Sequence, residues 1–126
     1  MEKSVIFTDD SNIKLPEIYR SKKILGRGTT LQENRKVLVA LEEANLPIPK
    51  KDVDLESKYR KALYNFTRPA RLMFAGSFGE IRNFRDTVGT ILPTNLYILS
   101  ERYGLLSEND MIIPYDTTVE TTVKRI

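Results

Sequence analysis

The sequence predicts an α/β fold, a three-layer sandwich in which helices flank a small, mainly parallel, Rossmann-like sheet. Short apolar runs alternate along the chain with segments of helical periodicity. A predicted strand, helix and strand follow one another over residues 71–100, within the roughly thirty residues that a βαβ unit needs. Strands that are apolar on both faces are typical of parallel sheets covered by helices. The 126-residue chain is expected to form a single domain over residues 1–126.

Three strands are predicted, near residues 4–8, 71–75 and 96–100. The first, in "SVIFTDD", is β-branched and ends at Asp9 and Asp10. The second is the apolar run of "RLMFAGS", which leads into a glycine turn. The third, "NLYILS", follows a helix after a short "PT" turn. All three strands are expected to run parallel.

Three helices are predicted between these strands. The first, in "TTLQENRKVLVALEEANLP", begins with Thr30 and Glu33 at capping-box spacing and ends before Pro47. Its predicted buried face is made of Leu31, Leu38, Leu41 and Ala44.

The second helix lies in "VDLESKYRKALYNF" and ends before Pro69. Its predicted packing residues are Leu55, Tyr59, Ala62, Leu63, Tyr64 and Phe66. The third helix opens with Ser77 and Glu80, again at capping-box spacing. Its predicted buried face is Ile81, Phe84, Val88 and Ile91.

Composition excludes several kinds of chemistry. The chain has no cysteine and no histidine, so disulfides, thiolate metal sites and imidazole-based catalysis are excluded. Catalysis would have to use carboxylates, Tyr, Lys, Ser or the backbone. Asp9 and Asp10 are a lone acidic pair, which is more typical of a turn or a cap than of a metal site, so no metal is predicted. The sequence leaves open which cofactor, if any, is used and whether the protein is an enzyme.

Location and partners follow from charge and hydropathy. No apolar run approaches the roughly 20 residues that a membrane span needs, and "MEKSVIFTDD" does not resemble a signal peptide, so a cytoplasmic protein without a membrane partner is expected. The net charge is +3, with basic clusters in "YRSKKILGRG" and "RPAR". Such clusters are either solvated surface or a binding site for phosphates. The oligomeric state is not indicated.

The carboxyl edge of the predicted sheet is the expected ligand edge, because open α/β sheets bind ligands there. Asp9, "GSFGE" and "SERYG" would emerge at this edge. Gly76 and Gly79 would let the backbone approach a ligand, and the amide groups after Ser77 would bind an anion. Arg82, together with Arg85, would assist the anion or lie on a solvated helix face. A purely structural glycine turn is the alternative.

The stretch "SERYGLLSENDMIIPYD" contains a motif, S-x-x-Y-G-x-L-x-x-x-D-x-x-x-P-Y. Its residues are Ser100, Tyr103, Gly104, Leu106, Asp110, Pro114 and Tyr115. Over residues 95–118 it resembles the signature region of the YaaA family, the bacterial peroxide-stress proteins. It also resembles related uncharacterised domains that occur near tRNA 7-deazaguanine modification enzymes. The resemblance implies an α/β domain with a ligand or nucleic-acid site built around this loop.

The chain also departs from that family. "VIFTDDSNIK" contains neither a Ser-Pro-Ala-Lys nor a Cys-Ser-x-Ser-Lys motif, which the family tends to have in its N-terminal loop. The chain is therefore either a reduced relative of the family or similar to it only locally.

Two functions are consistent with these observations. The first is a nucleotide- or nucleobase-recognising α/β domain that acts in nucleic-acid modification, repair or stress response, with Tyr103 and Tyr115 stacking on a base and Asp110 accepting from its ring N–H groups. The second is a non-catalytic nucleic-acid- or protein-binding module in which the motif is structural, Gly104 supplies a positive φ and Asp110 is the partner of a buried tyrosine hydroxyl. The predicted ligand-binding residues are Asp9, Gly76, Ser77, Gly79, Arg82, Ser100, Tyr103, Gly104, Asp110 and Tyr115. Ser77, Gly79, Tyr103 and Asp110 are expected around one depression.

Overall fold

The computed structural model describes residues 3–16, 28–51 and 53–117. Within these ranges the strands are β1 (Ser4–Asp9), β2 (Arg68–Pro69), β3 (Thr94–Ser100), β4 (Gly104–Ser107) and β5 (Met111–Ile112). The α-helices are α1 (Arg35–Glu43), α2 (Glu56–Ala62), α3 (Ala70–Met73) and α4 (Phe78–Gly89), with 3₁₀ turns at Leu31–Glu33 and Tyr64–Phe66. The basic cluster "YRSKKILGRG" lies outside the described residues except for Gly28.

The main sheet is mixed and has the strand order β1-β3-β4. β1 and β3 are parallel, with Ser4 opposite Thr94 and Asp9 opposite Leu99. β3 and β4 are antiparallel, and β2 and β5 form a separate antiparallel pair. The predicted strands near residues 4–8 and 96–100 are therefore confirmed, as is their parallel pairing. The expectation of a mainly parallel sheet is wrong, because β4, the third strand of this sheet, runs antiparallel to β3.

The strand predicted near residues 71–75 is also wrong. Ala70–Met73 forms the short helix α3, and Phe74 makes only an isolated bridge with Lys14. A short apolar run cannot be assigned to strand or helix by periodicity alone. Tertiary contacts decide it here: the Ala70 amide donates to Asp110 O and the Arg71 amide donates to Glu108 O.

Helix α1 begins later than predicted. The side chain of Asn34 accepts a hydrogen bond of 3.1 Å from the Val37 amide and caps the helix. The Thr30 hydroxyl donates to the Glu33 carboxylate and accepts no hydrogen bond from a backbone amide, so the predicted capping box does not form and a 3₁₀ turn occupies Leu31–Glu33. In the second predicted helix, Tyr59 is buried as expected, whereas Tyr64 is 77% exposed and does not pack.

Helix α4 forms where it was predicted but buries a different face. The Ser77 side chain makes no capping bond. Phe84 and Ile91, two members of the predicted face, are 58% and 77% exposed. The buried positions are Phe78 and Arg82. Backbone acceptors below the helix attract the arginine inward, which rotates the apolar stripe partly into solvent.

The core consists of two clusters. The first lies between one face of the main sheet, here called the inner face, and helices α3 and α4; it contains Ala70, Met73, Phe74, Phe78, Leu96, Ile98, Leu106, Ile112 and Tyr115. The second lies around α1 and α2 and contains Leu31, Val37, Leu41, Tyr59, Leu63 and Ile113. Tyr103 packs against both clusters. The opposite face of the sheet, here called the outer face, presents Val5, Phe7, Asp9, Asn95, Tyr97, Leu99 and Leu105. No helix in the described ranges has the length and hydropathy needed to cross a membrane.

Candidate functional site

Ser100 organises the turn that begins the motif. Its Oγ accepts hydrogen bonds from the amides of Arg102 (3.1 Å) and Tyr103 (3.0 Å), which reverses the chain after β3. Gly104 then begins β4 with φ +78°, and a Cβ built there would meet no atom within 4 Å. Glycine is therefore favoured at this position for its backbone conformation and not for space.

Tyr115 is fully buried and binds a carboxylate that is distant in sequence. Its hydroxyl donates to Asp10 Oδ2 at 2.5 Å and lies 2.7 Å from Ser100 Oγ. Because a phenol has one hydrogen to donate, Ser100 is the donor in the second bond. Asp10 Oδ2 also accepts from the Glu101 amide at 3.0 Å. Burial, and secondarily Asp10, raises the pKa of Tyr115 above its ordinary value.

Tyr103 has its own carboxylate partner. Its hydroxyl donates to Glu56 Oε2 at 2.6 Å and accepts from the Ile113 amide at 3.3 Å. Burial, and then the Glu56 hydrogen bond, raises the pKa of Tyr103 to about 12. Glu56 is fixed in turn by an ion pair of 2.6 Å with the buried side chain of Arg102. The sequence-based interpretation that named Asp110 as the partner of a motif tyrosine is therefore wrong.

Asp110 has a local role at the other end of the sheet. Its Oδ2 accepts from the Ser107 amide at 2.9 Å and closes the turn between β4 and β5. Because β4 runs antiparallel to β3 from Gly104 to Ser107, this turn lies at the opposite end of the sheet from Ser100. Asp110 and Tyr103 consequently do not share a site.

Arg82 and Arg85 do not lie on a solvated helix face. Arg82 is 6% exposed, and its Nη1 donates to Arg71 O (3.0 Å) and Phe74 O (2.9 Å) at the end of α3. Arg85 Nε donates to Glu108 Oε1 at 2.8 Å. Both guanidinium groups hold α4 against the rest of the fold. In the "RPAR" cluster, Arg71 likewise pairs with Asp86 at 2.8 Å.

A depression of about 550 Å³ lies where β1 ends and α4 begins. It is lined by Thr8, Asp9, Asp10, Ser11, Asn12, Ile13, Gly76, Ser77, Phe78, Glu80 and Ile81. Among the predicted site residues, the structure brings together Asp9, Gly76 and Ser77 here. Gly79, Tyr103 and Asp110 are not part of the lining, so the expected depression surrounded by these residues and Ser77 does not form.

The lining is acidic. It contains three carboxylates, from Asp9, Asp10 and Glu80, and no lysine or arginine from the part of the chain that the structure describes. The amide groups that open α4 favour an anion, but nearby carboxylates oppose one. The depression is also lined by the apolar residues Ile13, Phe78 and Ile81. Its chemistry therefore suits a ligand that has N–H donors and an apolar face.

Asp10 connects this depression to the motif. It lines the depression and also accepts from Tyr115, whose ring packs edge-on against Tyr103 at 5.9 Å between centroids. Asn12, two residues on, accepts a hydrogen bond of 2.8 Å from Thr117. The segment after β1 is thus fixed by residues at and just beyond the motif's end. Adjacency to Asp9 was the one sequence signal that pointed to Asp10.

Lys14 was missed by sequence reasoning. It is 0% exposed, and its Nζ has no hydrogen-bond partner among the described residues. The amine lies 4.7 Å from the Tyr115 ring centroid and 5.8 Å from that of Phe74. Burial lowers its pKa to about 8, against the opposing effect of nearby carboxylates, of which Asp10 is the strongest. A lone lysine in an irregular segment gives no periodic signal of burial.

These features define a small mixed α/β domain with an acidic depression at the carboxyl end of a parallel strand pair. Among the described residues, no group of three or more metal-ligating side chains is close enough to hold a metal ion. No family model matches the chain, and no curated protein or solved structure is significantly similar to it.

Proposed function

We propose that this protein is a nucleobase- or nucleoside-recognising α/β domain that acts in nucleic-acid modification, repair or stress response. The observation on which the proposal rests is the acidic depression between β1 and α4. Its volume of about 550 Å³ lies within the range of roughly 300–1,000 Å³ for small-molecule sites.

The lining supports a heterocyclic base. Carboxylates of Asp9 and Glu80 accept hydrogen bonds from ring and exocyclic N–H groups, and Asn12 adds an amide. The partly exposed residues Ile13 and Ile81 suit the flat face of a base. The hydroxyl groups of Ser11 and Ser77 complete a polar edge.

A base or nucleoside fits this lining better than a nucleotide. A phosphate would face three carboxylates, and none of the described lysine or arginine residues lines the depression. The proposal therefore narrows the nucleotide-or-base expectation from the sequence to the uncharged part of such a ligand.

We propose in addition that the fold is Rossmann-like and that the chain is related to the YaaA family. The Rossmann-like character is supported by β1 and β3, a parallel pair, and by α4, which contacts both strands. The outer face, however, has no helix over it among the described residues, so the third layer of a sandwich lacks support. The resemblance to the YaaA family rests on the motif of residues 95–118 alone, since no family match supports it.

One observation favours the alternative, a non-catalytic nucleic-acid- or protein-binding module. The hydroxyl groups of Ser100, Tyr103 and Tyr115 all have hydrogen-bond partners inside the protein. Buried polar groups satisfied in this way are typical of architecture. Under this alternative the motif orients the loops and recognition occurs elsewhere on the surface.

A titration separates the two functions. The intact chain is titrated with free bases, nucleosides and the matching 5′-monophosphates, and thermal unfolding and calorimetry are the readouts. We expect saturable stabilisation by one base or nucleoside and weaker binding of its monophosphate. Glu80→Gln should weaken binding several-fold, whereas Glu43→Gln, an exposed glutamate of α1, should leave it unchanged.

A different set of results would support the alternative function. No saturable response to any member of the panel, together with salt-sensitive binding of DNA or RNA, would replace the proposal by the alternative.

A further inference from the structure

The outer face of the main sheet is an apolar surface that no helix or strand within residues 3–16, 28–51 and 53–117 covers. Val5 is 45% exposed, Phe7 68%, Leu99 56% and Leu105 60%. Strand alternation places these side chains opposite the inner face, which is covered by α3 and α4. Large apolar residues gathered on one open surface mark an interaction site more often than scattered ones do.

Strand register makes this surface contiguous. Phe7 lies directly opposite Tyr97, and their rings stack with centroids 5.5 Å apart. Leu99 lies opposite Leu105 on the other side of the central strand. The patch therefore crosses all three strands.

We propose that the outer face is the interface of a two-fold homodimer, in which the outer face of a second copy of this chain packs against it. In such a dimer the two sheets pack face to face, and the helices of each copy lie on the far side of its own sheet. This is a common way to bury two apolar sheet faces. Cyclic dimers are the most frequent soluble oligomers, and a two-fold interface uses the same patch on both copies.

The exposed apolar area of the outer face is sufficient for the core of such a dimer interface. At about 150–200 Å² of surface for each large apolar side chain, the exposed fractions of Val5, Phe7, Leu99 and Leu105 amount to roughly 400 Å² per copy. A stable interface buries about 800 Å² per partner, of which somewhat over half is apolar. The four side chains therefore supply most of the apolar core, and neighbouring polar residues supply the rim.

The distribution of charge favours a second copy over a different partner. The central positions of the patch are uncharged. By strand alternation Lys3 and Asp9, both exposed, lie at opposite ends of the outer side of β1. An antiparallel two-fold packing places Lys3 of one copy near Asp9 of the other, so the charges at the rim are self-complementary.

The test measures the mass of the full chain in solution by sedimentation equilibrium and light scattering. The wild-type protein is expected at twice its chain mass of 14.5 kDa at tens of micromolar. Phe7→Glu and Leu105→Glu should each weaken dimerisation at least tenfold, because they place a carboxylate inside an apolar interface. Phe84→Glu is the matched control: Phe84 is 58% exposed on α4, away from the patch, and the dimer should persist.

A charge reversal tests the orientation. Lys3→Glu should weaken the dimer, because in this packing it would place a carboxylate near Asp9 of the other copy; Asp9 is left unchanged, since it also lines the depression. Neither Phe7 nor Leu105 lines the depression, so dimer loss and loss of base binding are separate outcomes.

Two results would overturn the proposal. One is a wild-type chain that stays monomeric at 100 µM or more, since the face would then be covered by another molecule or exposed to solvent. The other is a dimer that survives both Phe7→Glu and Leu105→Glu, since its interface would then lie elsewhere.

Discussion

Tyr115 donates a hydrogen bond to Asp10, and the two residues are 105 positions apart in the sequence. This contact joins the end of the motif to the loop after the first strand. The tyrosine is buried without exposure to solvent, and the same carboxylate lines the acidic depression. The motif thus positions one wall of the candidate site without entering it.

Tyr115→Phe should destabilise the fold. Removing the hydroxyl leaves the Ser100 hydroxyl without its buried acceptor and takes one of two hydrogen-bond donors from Asp10 Oδ2, which costs about 1–3 kcal/mol. Urea unfolding at pH 7 measures this change in the free energy of unfolding. Tyr64→Phe, at a tyrosine that is 77% exposed, should change it by less than about 0.5 kcal/mol. Equal effects of the two variants would show that the Tyr115 contact contributes nothing to stability.

Lys14→Met should stabilise the protein at neutral pH. Burial lowers the Lys14 pKa from 10.5 to about 8, so the folded state disfavours the proton that the unfolded state keeps. Above pH 10.5 Lys14 is neutral in both states and does not lower the free energy of unfolding. As pH falls from 10.5 to about 8, the unfolded state takes up the proton first, so the free energy of unfolding decreases. By linkage the cost below pH 8 is about 3 kcal/mol, offset in part by attraction of the ammonium to the Tyr115 ring.

The measurement is the difference in free energy of unfolding between Lys14→Met and wild type from pH 7 to 10.5. We expect the variant's advantage, of order 1–3 kcal/mol at pH 7, to shrink steadily as pH rises. The comparison cancels the titration of groups that do not interact with Lys14. A difference that does not change with pH would contradict the prediction.

Tyr103→Phe should affect stability and leave ligand binding intact. The variant removes the hydrogen bond to Glu56, at a cost of about 1–2 kcal/mol, but Tyr103 does not line the depression. Because the pKa of Tyr103 is raised to about 12, its contribution is full below pH 10 and is lost as pH rises through 12. Unfolding experiments up to pH 11 and a base titration at pH 7 test both statements. Loss of base binding without loss of stability would place Tyr103 in the ligand site.

A glycine series should separate backbone strain from steric contact. Gly104→Ala should cost about 1 kcal/mol, because its φ is +78° and the space around it is open. Gly28→Ala should cost more, since its φ is +74° and a Cβ would lie 2.5 Å from Lys14 O. Gly79→Ala, inside α4 with its nearest contact at 3.8 Å, should be neutral or stabilising by up to about 1 kcal/mol. Thermal unfolding of the three variants gives the order, and any other order would refute this account.

Patterns of local sequence predicted much of the fold. β1 and β3 are apolar runs with clear ends, and their strand assignment was correct. Helices α1, α2 and α4 lie where apolar spacing placed them. The boundary of α1 was misjudged because two capping patterns compete within five residues, and the bond from Asn34 to Val37 selects the later one.

The candidate site was predicted only in part. Asp9, Gly76 and Ser77 do meet at the carboxyl end of β1, although the chain reaches Gly76 from the short helix α3 and not from a parallel strand. Asp110 was grouped with them wrongly, because the chain after Ser100 returns antiparallel and takes Asp110 to the far end of the sheet. The apolar pattern of a strand does not indicate whether the next strand runs parallel or antiparallel to it.

The sequence by itself determined the elements with a repeating apolar pattern, the absence of thiol and imidazole chemistry, and the tight turn at Gly104. These depend on neighbours a few residues away or on composition, so they can be read locally. Only the tertiary structure decided that "RLM" is helical, that Arg82 and Lys14 are buried, and that Asp10 is the partner of Tyr115. Each of these depends on a group that is distant in the sequence: an acceptor for a guanidinium, aromatic rings around an amine, a carboxylate for a phenol. Burial of a polar side chain is favourable only where such a partner lies, and three-dimensional packing alone brings that partner near.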